Sequence, residues 1–272
     1  NAQSVQVYGG EDAAVPEYGK VFISIKAKSR TNLTESTKNS IVQSLKQFAV
    51  ASVRPTIIDP ETTFLTLDTT FKYDTGATTK DSSTLATNVL TAISNYNNTT
   101  LKNFTGVFRY SKLLEAINGA DTSILSNITT VKMYKTVTPT LNSALKYTVS
   151  FNNAFYNPHS GHNASGGGVL TSTGFKINGD TTNEYFLDED GAGNVRLYYL
   201  VGQVRTYTNN TQGTIDYTNG TITLNSLFIT SVSNVDGATS TAVRLTVIPN
   251  SVDVVPVRNQ IIEIDETNTT VT

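Results

Sequence analysis

Among its 272 residues the chain has no cysteine, no tryptophan, one methionine and two histidines, and only 15% of residues are charged. Without cysteine there can be no disulfide and no thiolate metal site. Without tryptophan the chain lacks the aromatic with the largest stacking face. No block of lysine or arginine occurs, and the net charge is -2 with a pI near 5.7. A nucleic-acid groove needs a basic stripe to neutralise phosphates, so that partner class is excluded. No apolar run approaches the roughly 20 residues of a membrane-crossing helix, so membrane insertion is not expected. The opening N-A-Q-S-V-Q-V-Y has neither the basic nor the apolar region of a signal peptide. Its lack of an initiator methionine, with Met133 the sole methionine, suggests a fragment of a longer polypeptide.

What remains is a polar chain built from Thr, Asn and Ser, a composition that suits strands and turns. Its length fits about two domains. In P-E-Y-G-K-V-F-I-S-I-K-A-K, from Pro16, Val21, Ile23 and Ile25 alternate with Phe22, Ser24 and Lys26, the period of a strand. A helix is expected over residues 32–49, with Asn32 as N-cap, Glu35 at capping-box spacing, and Ile41, Leu45, Phe48 and Ala49 in one stripe. Pro55 then forces extended backbone in S-V-R-P and V-R-P-T-I-I-D-P, and Leu65, Leu67, Phe71 and Tyr73 mark a long returning strand. A second helix starts at Asp81 and carries Leu85, Val89, Ile93 and Tyr96. A third covers Tyr110 to Asn118, stopped by Gly119, before a strand from Asn127 to Val137.

The strand ending in I-K-A-K, the helix, S-V-R-P and the returning strand, with F-R-Y-S-K-L-L-E-A-I-N-G-A-D from Phe108 to Asp121, resemble the C-terminal half of a baseplate wedge protein. The family is the ring-forming wedge subunit of T-even-type contractile phage tails, related to J-like baseplate proteins. The resemblance implies a structural subunit of the virion tail baseplate, assembled in the host cytoplasm and without enzymatic activity or cofactor. It implies contacts with other copies of itself around a ring and with other wedge subunits, rearranged on contraction. No small-molecule substrate is expected.

Beyond Pro139 the helical period gives way to alternation at Leu145, Tyr147, Val149 and Phe151, at 195–201, and at Val243, Leu245 and Val247. In G-T-I-D-Y-T-N-G-T-I-T-L, Asn219-Gly220 suits a type I′ turn, which would set Tyr217 against Ile222 and Ile215 against Leu224. The fold class expected is therefore α+β. An N-terminal α/β sandwich module, a sheet with three helices, precedes an antiparallel β-rich domain. The boundaries are a linker at 1–16, a docking module at 17–138, the β domain at 139–265, and a mobile tail at 266–272.

Few residues offer chemistry. His159 and His162 are three apart, but a metal site needs three or four ligands, and the alternative is a flexible loop ahead of Gly166-Gly167-Gly168. That glycine run lacks the lysine of a phosphate loop. Asp188-Glu189-Asp190 opens a stretch that looks like a calcium loop, yet Ala192 and Tyr199 stand where ligands are required, so a solvated hairpin turn is the plainer reading. No G-x-S-x-G is present, and no histidine is placed to activate a serine. No catalytic, cofactor-binding or metal residue is assigned. Arg196, Tyr198 and Leu200 share one face of a strand and form a candidate interface, since Arg and Tyr are enriched in interfaces. The alternative is a strand covered on both faces by its own domain. A receptor- or glycan-binding β module of a tail fibre or adhesin is the competing function, motivated by the Tyr-rich strands.

Overall fold

The computed structural model describes residues 2–13, 15–28, 32–48, 53–163 and 168–272. Its early strands are β1 (Ala2–Gly9), β2 (Lys20–Ala27), β3 (Arg54–Ile58), β4 (Glu61–Tyr73) and β5 (Ile124–Val137), with helices α1 (Glu35–Lys46), α2 (Ser82–Thr100) and α3 (Tyr110–Asn118). Next come β6 (Ala144–Ser150), β7 (Leu170–Ser172), β8 (Phe175–Ile177), β9 (Asp180–Glu189) and β10 (Asn194–Val201). The last are β11 (Val204–Asp216), β12 (Thr221–Val232), β13 (Val243–Val247), β14 (Gln260–Ile264) and β15 (Thr270–Val271). The chain forms two compact units. One holds residues 1–63, 73–125 and 255–264; the other holds 64–72, 126–254 and 265–272.

In the first unit, β2 pairs antiparallel with β1 and parallel with β3. Leu85, Val89, Ile93 and Tyr96 line the buried face of α2, and Asp81 caps it by accepting the Thr84 N–H at 2.8 Å, as the sequence indicated. Leu113 and Ile117 bury α3. Helix α1 differs from expectation. Its N-cap is Thr34, whose hydroxyl accepts the Thr37 N–H, rather than Asn32. Its only buried residue is Lys38, held by Glu35 and Asp59, while Ile41 and Leu45 are half-buried and Phe48 is exposed. Ala49 lies outside the described residues. Strand β14 is buried along its whole length. Asn97 of α2 both donates to the Ile264 carbonyl at 2.9 Å and accepts its N–H at 3.0 Å. Glu263 sits between the buried Lys26 (3.0 Å) and Lys102 (3.7 Å).

In the second unit, β5 lies between β4 and β13, β7 pairs with the far side of β13, and β15 adds to β4 in parallel. Within the tail expected to be mobile, Thr270 and Val271 form this strand. Asp265 anchors it through the N–H groups of Thr267 and Asn268, and the Thr270 hydroxyl bonds Asp68 at 2.6 Å. Successive hairpins join β8 through β12 antiparallel, and β12 returns to β8, closing a five-stranded barrel to which β6 adds outside the ring. Closure is accompanied by a bend in β12. The β12 register slips between Leu224 and Leu227, with Ser226 at φ 45°, so the first half of β12 pairs with β11 and the second half with β8. Phe175, Leu187, Val195, Ile215, Ile222 and Ile229 are buried in this unit.

The α/β sandwich with three helices is accordingly corrected to a mostly β protein with a closed barrel. The cause is that α1 has too short an apolar stripe to bury a sheet face. In addition, the long β4 and β5 find partners in β13 and β15, made much later in the chain. The hairpin register is corrected as well. Ile215 faces Ile222, and the loop has four residues. The Asp216 carboxylate accepts the N–H groups of Thr218 and Asn219 and the Asn219 side-chain amide, holding a wider turn than type I′. Gly220 follows at φ 64°, and a Cβ there would strike the Asn153 carbonyl.

The same Asp-x-Thr-Asn turn recurs at Asp180–Asn183 and Asp265–Asn268. The bonds from Asn183 and Asn219 hold Asp180 and Asp216 below the usual carboxylate range. At Asp265 burial acts the other way but is outweighed by the bonds from Asn268 and Tyr134. These turns therefore stabilise the fold fully above the unfolded carboxylate value of about 3.9, and lose that contribution as pH falls through the lowered folded values. Melting temperature followed from pH 6 to pH 2 should hold down to about pH 4 and then decline; replacing all three aspartates by asparagine should flatten the decline. Separately, Glu263→Gln leaves two buried ammonium groups short of their carboxylate and should cost about 3 kcal/mol in urea unfolding.

Candidate functional site

The densest polar cluster lies at the end of β9, where Asp188 and Glu189 are both fully buried. Neighbours on a strand point to opposite faces, so the two carboxylates serve different sets of partners. Asp188 receives Arg196 through Nε at 2.9 Å and Nη2 at 3.1 Å, Arg205 Nη1 at 2.5 Å and the Tyr207 hydroxyl at 2.8 Å. It thereby ties β9 to β10 and β11. Arg196 lies 4.4 Å from the Tyr207 ring centroid and Arg205 lies 4.7 Å from that of Tyr198, which stacks on Phe186 at 5.7 Å.

Glu189 accepts the Asn163 amide at 2.7 Å, the Val169 N–H at 3.2 Å, the Gly191 N–H at 2.5 Å and the Tyr217 hydroxyl at 2.5 Å. A carboxylate has about four acceptor positions, and all are occupied. Burial and the bond to Glu189 push the Tyr217 phenol far up from its usual value. Burial and the bond to Asp188 raise Tyr207 likewise. Asp190 does sit in the hairpin turn, accepting the N–H groups of Ala192 and Asn194. Gly191 adopts φ +75° with the His162 backbone against it, where a Cβ would clash.

His162 packs its largely buried ring beside this cluster, with Nδ1 3.0 Å from the His159 carbonyl and Nε2 3.5 Å from Glu189. That second distance is too long for a firm hydrogen bond. The two histidine rings are 5.9 Å apart, and among the described residues no three His, Cys, Asp or Glu side chains converge as metal ligands. Gly166 and Gly167 lie outside the described residues. Of the interface candidates, Arg196 and Tyr198 are buried within their own unit, whereas Leu200 is exposed near the tip of the β10–β11 hairpin. Sequence reading treated Asp188 and Glu189 as solvated acids. The available signal was cross-strand: Arg196 stands directly opposite Asp188.

The cluster braces a barrel end, with the Glu189 carboxylate fully engaged and the buried His162 Nε2 and Asn163 Oδ1 beside it making no hydrogen bond. Its geometry is that of a structural node. Residues 1–58 match the family model described as baseplate structural protein gp6, C-terminal domain I, and residues 61–136 match C-terminal domain III of the same protein. Residues 1–58 and 61–136 are thus similar to the C-terminal portion of a gp6 baseplate wedge protein. A curated relative, the baseplate wedge protein gp6 of Enterobacteria phage T4, is 27% identical over 135 residues. That alignment covers 50% of this chain and 20% of the relative, so the chain spans a small part of the gp6 length.

Within the node, Asp188→Asn should leave Arg196 buried and undercompensated, lowering stability by about 3–5 kcal/mol with loss of near-ultraviolet circular dichroism from the Tyr198–Tyr207 ladder. Asp190→Asn, in the turn, should cost far less in the same measurement.

Proposed function

We propose that this chain is a structural, non-enzymatic part of a phage tail baseplate wedge, located in the virion tail and working through contacts with other baseplate subunits. The observation that carries this reading is the succession of gp6 C-terminal domains I and III over residues 1–58 and 61–136. The buried carboxylates support it, because their bonds hold strands and loops together. Contacts between copies of the chain around a ring, and their rearrangement on contraction, belong to the same proposal. So does the assignment of docking to residues 17–138, which contain most of the family-matched stretch.

The receptor- or glycan-binding alternative is not favoured. Tyr185 and Tyr198, which would supply the aromatic face, are buried. On the proposed interface strand the open surface is instead apolar. Leu200 (43% exposed), Val201 (57%) and Val204 (67%) surround the tight Gly202-Gln203 turn.

Sedimentation of the full chain with wedge subunits of its own phage should show co-migration, and a chain that joins no complex removes the reading. Leu200→Asp with Val204→Asp should leave the melting temperature within about 2 °C, since both side chains are exposed. It should weaken co-migration by tenfold or more if the hairpin tip is a central contact, roughly the loss seen at interface hot spots.

A further inference from the structure

Asparagine followed by glycine occurs three times, at Asn118-Gly119, Asn178-Gly179 and Asn219-Gly220. The dipeptide is chemically labile, because no Cβ keeps the glycine nitrogen from the asparagine side-chain carbon and the backbone turns freely to bring them together. In a folded chain that reaction is slowed wherever hydrogen bonds hold the two groups in place. Two of the three pairs are held. Asn118 ends α3, and the Gly119 N–H donates to the Glu115 carbonyl at 2.9 Å. Asn219 gives its side-chain amide (2.7 Å) and its backbone N–H (2.9 Å) to the Asp216 carboxylate, and Gly220 is buried against the Asn153 backbone.

Asn178-Gly179 is held by neither device. It is the two-residue loop of the β8–β9 hairpin, with Ile177 opposite Asp180. Both residues are exposed, and Gly179 stands at φ +87° with nothing within 4 Å of where a Cβ would be. The Asn178 backbone N–H bonds the Phe228 carbonyl at 3.3 Å. Among the described residues neither the Asn178 side-chain amide nor the Gly179 N–H has a hydrogen-bond partner. The Asp180 carboxylate beside the loop is taken by Thr182, Asn183 and Tyr185.

We infer that Asn178 is a site of spontaneous deamidation, selected by the fold over the other two pairs. The Gly179 nitrogen attacks the Asn178 side-chain carbonyl carbon, a C–N bond forms, and the amide nitrogen leaves as ammonia with the proton lost from Gly179. Water then opens the resulting succinimide ring at either carbonyl, giving aspartate or isoaspartate. No enzyme or cofactor takes part, and the net exchange is one water in and one ammonia out. Isoaspartate carries the backbone through an additional methylene, and the register of a hairpin is fixed by its loop length. Strand β8 is only three residues long and pairs on its far side with β12, where the barrel closes. The change therefore falls on the closing strand and adds a negative charge beside Asp180.

The test is to age the full chain in warm, mildly alkaline buffer and map its peptides by mass spectrometry. Digestion in heavy-oxygen water gives any conversion during handling a different mass. Asn178 should convert at least about tenfold faster than Asn118 or Asn219, the factor that one charge-assisted hydrogen bond represents. In concentrated urea the three rates should become comparable, because the protecting bonds are gone. Asn178→Gln should remove the fast component, as the longer side chain forms its ring far more slowly. Part of the product should be isoaspartate, detected by methyl transfer from an isoaspartyl methyltransferase. The isoaspartyl chain, separated by its added charge, should show faster amide exchange at 175–177 than the original. A folded chain in which Asn178 outlasts either other pair, or in which all three convert alike, overturns the inference. So does a ranking that persists unchanged in urea, since it would then owe nothing to the fold. Equal amide exchange in the two forms removes the link to barrel closure.

Discussion

The second unit depends on two adjacent buried carboxylates at the end of one strand, each accepting four hydrogen bonds. A buried acid without partners costs several kcal/mol, enough to undo a domain of ordinary stability. Asp188 and Glu189 avoid that cost by recruiting different neighbours. Asp188 gathers Arg196 from the adjoining β10 and Arg205 and Tyr207 from β11 beyond it, and Glu189 gathers the loop at Asn163, the Val169 and Gly191 backbone and Tyr217 of the next hairpin. Hydrophobic packing alone would tolerate slippage between these strands. Directional bonds to a fixed carboxylate do not, and so the barrel end has one register.

A comparable arrangement operates in the first unit with the signs reversed in number: one carboxylate, Glu263, stands between two lysines. The amide of Asn97, paired both ways with the backbone of Ile264, completes the anchoring of a fully buried strand. Each unit thus uses sparse charge as internal fastening, in a chain where only 15% of residues are charged. That is consistent with a protein whose work is to keep its shape while its surface meets neighbours.

How much of this could be read from sequence depended on the range of the interactions. Helices α2 and α3 were legible because their stripes and caps lie within a few residues of one another. The start of α1 was missed by two residues because Asn32 and Thr34 both make good caps and only the observed bond to Thr37 decides between them. The hairpin at 216–221 was misjudged because Asn-Gly is a strong two-residue turn signal, and Asp216 just before it captures the backbone more strongly. The helical sandwich failed for a longer-range reason. A strand's partner is not written beside it, and β4 and β5 are completed by residues far downstream. The acids at 188 and 189 looked like surface because their partners come from other strands and loops, and burial is not visible along a single strand.

The pairing of Thr270 with Asp68 separates two bonded residues by 202 positions, and Lys26 waits for Glu263 across 237. On a ribosome adding roughly 5–20 residues each second, Asp68 emerges well before its last partner exists, and the same is true of Lys26 in the other unit. Neither unit can reach its final form while residues 255–272 are still to be made, so the two mature nearly together rather than in the order of the sequence. Contacts of such span also make folding slow, because the entropy of closing a long loop is spent before any bond rewards it. Until then the unpaired β4 side is open to stray strands, which places the hazard of misassembly in the interval between synthesis and closure.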